Sequence, residues 1–557
     1  MKIILVSINA KYEHEGLAVW YLKAACQNRG IPAKVMQYSI NDSTQRVWAS
    51  IMDEKPDVAA FSCYIWNRGQ VLNLISDLKK ARPQCVVIAG GPEVSYEGSE
   101  ADFKAAGAEF VIKWEGEGIL PVLLENLEQS GLESAQRRFE SGEITLEDSC
   151  YFSPFVPEYL ERIKDRIAYI ESSRGCPYKC SYCLSSESRG MILFPLESIK
   201  SDIEKLVRFG ARVIKFVDRS FNVHEARSLE IWSFIRKFSG RKVTFHFEIN
   251  PDRLTPLQLE ALASMPAGLV QVEAGIQSVN AEALKEVSRV MDVEAAVKNL
   301  KFLMKQGNIH VHTDLIAGLP YESLESFRHS FNRIYEIKAH NLQLGFLKLI
   351  HGTRIRREAE KHAYKFRHYP PYEVIENRYL SAEDILVLKG VEEILDRAYN
   401  SGRLTLTLEY LLGYFSDPFA MYQSAASFFK QKGLLFQPLS AAKLFELFRE
   451  FASGIMGMDR FTLDSFIALD YACSLKNTVF PEFLENSRVQ TPDSRELLEC
   501  RLGGWKKEYR KRFLVLQGNF LIKNSENFQC LRNRMLVDTA RVDPVTERAI
   551  PQAICIA

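Results

Sequence analysis

Three cysteines stand within eight residues of this chain, Cys176, Cys180 and Cys183, in the stretch SSRGCPYKCSYCLSS. Structural zinc sites close a tetrahedron with four protein ligands, commonly as two CxxC pairs. Here no fourth cysteine is near, and the next one downstream is Cys473. A cubane iron–sulfur cluster held by only three thiolates leaves one iron free to take a substrate, and a three-then-two spacing fits a short loop wrapping such a cluster. Tyr182, beside the last thiol, is placed to shield it from water. The bland alternative is three unconnected thiols in a loop.

Such a loop needs a scaffold. From 168 to 350 six apolar strand patterns alternate with helical ones: AYIESS, VIKFVD, TFHFEIN, VQVEAG, HVHTDLIAG and NLQLGFLKL. Six βα units predict a partial barrel with active groups at the carboxyl ends of its strands. The cysteines lie just past the first of them. Before this, KIILVSI, AKVMQYS, DVAAFSC, CVVIAGG and EFVIKW make five further βα units. These predict a doubly wound, flavodoxin-like parallel sheet that binds ligands beyond its strands' carboxyl ends. Those ends carry NAKYEHEG, CYIWN and GGPEVSY. Gly90 and Gly91 would let a backbone lie against a ligand, although a tight turn asks for the same residues.

The expected fold class is α/β, with a flavodoxin-like domain at 1–135, a linker at 136–167, a partial (β/α)6 barrel at 168–360 and a mostly helical domain at 361–557. In the last, Ser381 with Asp384 and Gly402 bracket one helix, and Asp417, Pro418 and Gly433 another. A hairpin is expected near RFLVLQGNFLIKN.

Bulk composition narrows the function classes. A chain of 557 residues exceeds one core, and about three or four domains is the length-based expectation. With 71 basic and 70 acidic residues the net charge is +1, so nothing global attracts nucleic acid or an anionic membrane. A basic run, WKKEYRKRF at 505–513, reads as a solvated helix face or a contact for an acidic partner. No apolar run reaches the ~18 residues of a membrane span. The apolar start reads as a first strand instead of a signal peptide. Eleven scattered cysteines argue against a disulfide framework and point to the cytoplasm.

CxxxCxxC after the first strand of a βα barrel resembles the signature of the radical S-adenosylmethionine (radical SAM) superfamily. FVDRSFN (216–222) resembles its acidic second-strand motif, VEAGIQS (272–278) its fourth-strand segment, and DLIAGLP (314–320) and LKLIHGT (347–353) its adenine-flanking segments. With the flavodoxin-like domain ahead and the helical tail behind, the whole chain resembles a cobalamin-binding branch of that superfamily, the subfamily with a DUF4080 tail. The resemblance implies a [4Fe–4S] cluster on Cys176, Cys180 and Cys183 whose free iron chelates S-adenosylmethionine. One electron then cleaves the sulfonium to methionine and a 5′-deoxyadenosyl radical. It also implies Glu273 and Glu248 on the ribose hydroxyls, Gln277 facing the cofactor, Asp218 on the methionine ammonium, Ser185, Ser186 and Arg189 as candidates for its carboxylate, and Ile316 and Gly318 in the segments beside the adenine. For each carboxylate the alternative is a buried ion pair, and for the serines simple loop capping.

The resemblance further implies cobalamin, methylated as cob(I)alamin by one S-adenosylmethionine while a second supplies the radical. YEHEGLAV departs from the B12 motif Asp-x-His-x-x-Gly: the glycine follows His14 by two residues, and no aspartate precedes it. His14 is therefore either an axial cobalt ligand or a helix-start or pocket-lining residue, and Tyr64, Trp66 and Asn67 are expected to cover the lower face of a base-off cobalamin, or else to belong to the core. The expected reaction is methylation of an unactivated carbon or a phosphinate phosphorus. The alternatives are a radical cyclase or rearrangement on the same cofactors and a redox-sensing module. The expected partners are a small-molecule or peptide substrate and a reductant such as flavodoxin or ferredoxin. A methylthiotransferase would need a second cluster on Cys26, Cys63 and Cys85, which the predicted elements place on opposite edges of the sheet.

Overall fold

A computed structural model describes residues 1–144, 151–187, 190–476, 479–487, 513–524 and 527–554. The basic run at 505–512 and Arg189 lie outside the described residues.

Five parallel strands open the chain: β1 (Ile3–Asn9), β2 (Ala33–Ser39), β3 (Val58–Ser62), β4 (Val86–Gly90) and β5 (Phe110–Ile112). All seven residues of β1 are buried, because helices cover both faces of the sheet and leave no polar side to alternate with. The order is β2-β1-β3-β4-β5, so the direction of winding reverses between β1 and β3. A crevice for a ligand opens at that point.

The next strand, β6 (Ile167–Ile170), is followed by a two-residue clasp, β7 (Ser173–Arg174) with β8 (Ile192–Leu193). The barrel then continues through β9 (Val213–Phe216), β10 (Thr244–Ile249), β11 (Val270–Gln277), β12 (His310–Ala317) and β13 (Asn341–Phe346). The order β13-β12-β11-β10-β9-β6 is sequential and all parallel, with β6 and β13 as its outermost strands. Along β11 and β12 buried and half-buried residues alternate without exception. Apolar residues such as Val272 and Val311 face the helices, and polar ones line the inside. His246 of β10 and His312 of β12 come within 5.9 Å between ring centroids although a strand separates them. Flat strands two apart lie about 9.6 Å apart, so the sheet curls with this polar face inward. Most barrels fill that space with branched apolar side chains; a polar interior leaves it for a ligand.

The segment expected as a linker starts inside the helix Leu120–Glu140, which breaks at Gly131 (φ 77°). Its later part is bolted down: the Tyr151 hydroxyl donates to Asp202 at 2.6 Å, Trp20 meets Tyr159 edge-on at 5.6 Å, and Lys23 pairs with Glu158 at 2.6 Å.

The first domain closes the open side of the barrel. Past β1, Glu15 pairs with Arg166 at 2.8 Å, Tyr12 stacks under the same guanidinium, and His14 bridges to Ile167 of β6. Past β4, Tyr96 stacks on His351 with 4.2 Å between centroids, and Glu93 accepts from the Tyr372 hydroxyl at 3.1 Å. One set of loops thus reaches β6 and the other the chain beyond β13, and the carboxyl edge of the first sheet faces the gap between the barrel's two edges.

In the tail Ser381 and Asp384 form a reciprocal cap on Ala382–Leu395, and the Asp417 carboxylate caps Pro418–Gln431. Asp417 also accepts from Arg328 and Asn332, which ties this helix to the barrel. The first helix continues through a single π turn, Asp396–Asn400, before the chain reaches Gly402 at φ 64°. The expected hairpin is larger than one short stretch. Two short strands, β14 (Lys365–Phe366) and β15 (Val374–Glu376), precede these helices; then Phe513–Asn524 forms the single strand β16, pairing antiparallel with β17 (Asn527–Val542), which pairs with β18 (Ala549–Ile554).

Candidate active site at the barrel mouth

The cysteine loop is held at both ends before any ligand is considered. Arg227 donates to the carbonyls of Ser172 and Phe194, one on each side of the β7–β8 clasp. Asp218 is 2% exposed, and its two oxygens accept from the Ser172 amide (2.9 Å), the Ser172 hydroxyl (2.7 Å) and the Ser173 hydroxyl (2.6 Å). Burial pushes its pKa up, against the pull of these hydrogen bonds. This corrects the expectation that Asp218 holds the methionine ammonium: its oxygens are spent on the root of the loop, and it does not line the cavity beside the thiols. The Cys183 amide donates to the Cys180 carbonyl at 3.1 Å, while the Ser186 hydroxyl donates to the Cys183 carbonyl and Lys179 to that of Ser186. Ser186 is therefore a loop cap, and Ser185, in the turn Leu184–Glu187, does not line the cavity.

Cys176, Cys180 and Cys183 all line one cavity of about 200 Å³, together with Glu248, Asn250, Glu273, Gln277, Arg289 and Asp314. Burial raises the Cys176 thiol, and a metal would have to displace that proton. Among the described residues no three His, Cys, Asp or Glu side chains converge on a point where a single ion would sit. Sulfurs ringing a cavity, with no fourth ligand, suit a cubane that gives each thiolate its own iron and leaves the last iron open.

The cavity's carboxylates differ sharply. Glu273 on β11 is held by His246 (3.0 Å) and Lys215 (3.2 Å), and the His246 contact leads in drawing its pKa down to about 2. Glu248, its neighbour in register on β10, is raised by burial with Arg219 at 3.9 Å opposing. Asp314 on β12 is pushed up to about 7, first by burial and then by the charges of Glu273 and Glu248, and its buried Oδ1 has no partner among the described residues. Gln277 sits at φ 76° where the β11–β12 register slips, a bulge that turns its amide back over Gly275. A Cβ on Gly275 would stand 2.1 Å from Gln277 Nε2, so only glycine allows this return.

Two further expectations change. Ile316 shares the inward parity of β12 and packs against the apolar core, without lining this cavity. The Gly318 carbonyl accepts from the Tyr364 hydroxyl (2.8 Å) and Asn377 (3.0 Å), and a Cβ there would meet Val374 at 2.9 Å; it serves tail docking, away from the cavity. Sequence reasoning missed Asp314, Asn250 and Arg289. Asp314 was legible in principle, being on the inward parity of β12, whereas Arg289 lies in the loop after the helix Ala281–Glu286, where no period applies.

At the edge of the first sheet Tyr64 and Trp66 stack at 4.5 Å and 6°. The Trp66 indole donates to the Ile8 carbonyl at 2.9 Å, laying the pair over the β1–β3 crevice, yet 43% of Trp66 stays exposed. Burial raises the Tyr64 hydroxyl to about 12, with the charges of Glu117 and Glu171 adding to the shift. A flat corrinoid ring fits such a surface. Asn67 is not part of it: its amide donates to the Ile8 and Ser62 carbonyls and its oxygen accepts from the Tyr64 amide. Gly91, at φ 113°, is required because a Cβ would stand 2.6 Å from the Cys63 carbonyl oxygen, while Gly90 leaves more room, with 3.6 Å to the Ile112 carbonyl. The His14 ring packs edge-on against Tyr169 of β6, and burial lowers its pKa.

Cys26 lies in the helix Leu17–Asn28 and Cys63 past β3, while Cys85 enters β4 from its amino end. All three are fully buried, and no shared cluster can span those positions.

Residues 3–124 match the B12 binding domain family, 170–334 the radical SAM superfamily and 360–507 a family described as a protein of unknown function (DUF4080). A 2-(S-pantetheinyl)-carbapenam-3-carboxylate methyltransferase of Streptantibioticus cattleyicolor is 26% identical over 54% of this chain and 47% of its own length. The ribosomal protein uS12 methylthiotransferase RimO of Nitratiruptor sp. is 26% identical over 43% of this chain and 56% of its own length. The chain thus spans about half the length of these curated relatives. The solved cobalamin-dependent S-adenosylmethionine radical enzyme OxsB, with aqua-cobalamin and S-adenosylmethionine bound, shares the fold at TM-score 0.55 and 12% identity, over 91% of this chain and 82% of that one. A cysteine-lined cavity, an aromatic stack at the edge of the first sheet and three consecutive family matches lead to one assignment: the chain is a radical SAM enzyme with a B12 binding domain ahead of it and a DUF4080 tail behind, whose cofactors are a [4Fe–4S] cluster, S-adenosylmethionine and cobalamin.

Proposed function

We propose that this enzyme transfers a methyl group from S-adenosylmethionine, by way of cobalamin, to an unactivated carbon or a phosphinate phosphorus of a small molecule or peptide. The observation that carries the reading is that loops at the carboxyl edge of the first sheet, which bears the Tyr64–Trp66 stack, contact both edges of the barrel that holds the cysteine cavity, through Glu15 with Arg166 and Tyr96 with His351. When bound, the reduced cluster cleaves S-adenosylmethionine to an adenosyl radical and cobalamin carries the methyl group.

The chain's own residues prepare that space. Cys176, Cys180 and Cys183 hold the cluster. Glu273, ionised down to a pH of about 2, accepts hydrogen bonds from ribose hydroxyls, since an ionised carboxylate is an acceptor only. Asp314, protonated up to a pH of about 7, donates one. Gln277 supplies both a donor and an acceptor from a position its bulge fixes. Tyr178 and Tyr182 line the cavity beside the thiols and keep water from the reacting carbon. The electron comes from flavodoxin or ferredoxin.

The test is anaerobic reconstitution with iron, sulfide and cobalamin, followed by methyl-labelled S-adenosylmethionine, dithionite and candidate substrates. Formation of 5′-deoxyadenosine and S-adenosylhomocysteine with a labelled methyl group in the product supports the reading. 5′-Deoxyadenosine with a product of unchanged mass turns it to a rearrangement, and neither nucleoside overturns it.

A further inference from the structure

We propose that Arg289 sets the reduction potential of the cluster, by donating hydrogen bonds to the Cys180 thiolate and to a cluster sulfide. The inference rests on the cluster assignment and is independent of the reaction performed. Arg289 follows Ser288, held at φ 54°, in the turn that leads out of the helix Ala281–Glu286. Its backbone amide is tied to the Leu284 carbonyl at 2.8 Å. From there the guanidinium enters the cavity wall. Nη1 lies 3.8 Å from Cys180 Sγ and 3.4 Å from the Tyr182 hydroxyl, and Nη2 donates to the Gly275 carbonyl. The Nε–H is buried and has no acceptor among the described residues.

A buried donor left without an acceptor costs about 1–3 kcal/mol, so native structures rarely keep one unless a bound group accepts from it. Beside a ligating cysteine, that group is a sulfide of the cluster. Arginine cannot lose its proton in a protein, so the charge at Cys180 is permanent. Hydrogen bonds and positive charge at the sulfurs favour the reduced cluster, which carries one more electron, and therefore raise its potential. Cys176 differs, with the neutral Ser220 hydroxyl at 3.7 Å and the Tyr178 backbone beside it. The opposing negative charges in the same cavity are those of Glu248 and Glu273.

The experiment is a potentiometric titration of the reconstituted, cobalamin-loaded protein without S-adenosylmethionine, following the paramagnetic signal of the reduced cluster. Arg289→Gln is expected to shift the midpoint to a more negative potential. Arg289→Lys, which keeps the charge but not the planar fork, is expected to fall between. An unchanged midpoint in Arg289→Gln with full iron and sulfide content overturns the proposal. The wild-type protein grown on 15N-guanidino arginine gives a second measurement should that variant lose its cluster. Nuclear coupling between 15N and the reduced cluster that persists in Arg219→Gln, which removes the second arginine of the cavity lining, supports the proposal, and its absence overturns it. A wild-type protein with no cubane signal at all would overturn the cysteine assignment itself, a failure separate from that of Arg289.

Discussion

Glu273 and His246 face one another inside the barrel from neighbouring strands, with 3.0 Å between Oε2 and Nε2. Lys215 reaches the same oxygen from β9, leaving Oε1 for a ligand. Glu273→Gln is expected to weaken S-adenosylmethionine binding about 10- to 100-fold, the ~1.5–3 kcal/mol of a hydrogen bond to a charged group. Equilibrium binding to the reconstituted protein measures it, with cluster content unchanged.

Asp314 makes stability depend on pH in the opposite sense to an ion-paired carboxylate. Its folded pKa, about 7, lies above the ordinary value of about 3.9. Its contribution is therefore complete below that ordinary value and is lost as pH rises through about 7. Melting temperatures of the cofactor-free protein between about pH 4 and pH 8 should fall more steeply for wild type than for Asp314→Asn. Equal slopes would show that Asp314 is ionised throughout.

Removing one thiol and removing the anchor beneath it should fail alike at the cluster but differ in degree. Cys183→Ala leaves two protein thiolates and is expected to abolish stable cluster incorporation. Asp218→Ala touches no ligand but frees Ser172 and Ser173, so partial occupancy of a loosened loop is expected. Iron and sulfide analysis after desalting separates the two.

His14→Ala should leave cobalamin bound, because the ring is packed against Tyr169 and the platform for the corrinoid is Tyr64 with Trp66. The visible spectrum of the protein after gel filtration reports retention. Wholesale loss of cobalt would make His14 the axial ligand.

The strand patterns, the caps at Ser381 and Asp417 and the cysteine spacing were legible because each is local: a period of two, a side chain reaching three residues on, a loop of fixed length. From these follow two βα sheets, a helical tail and an open-sited cluster at the first barrel strand. What no local pattern carries is which side chain fills which space. Asp218 and Asp314 are both acidic residues of the barrel, yet one is consumed by two serines and the other lines the cavity with an oxygen that has no partner among the described residues. Arg289 reaches Cys180 across 109 residues of chain, and the loops of the first sheet meet the barrel's edges only once both sheets are folded and docked. Sequence spacing singled out the three thiols, and curvature and docking decided their surroundings, because contacts between residues far apart in the chain exist only in the packed molecule.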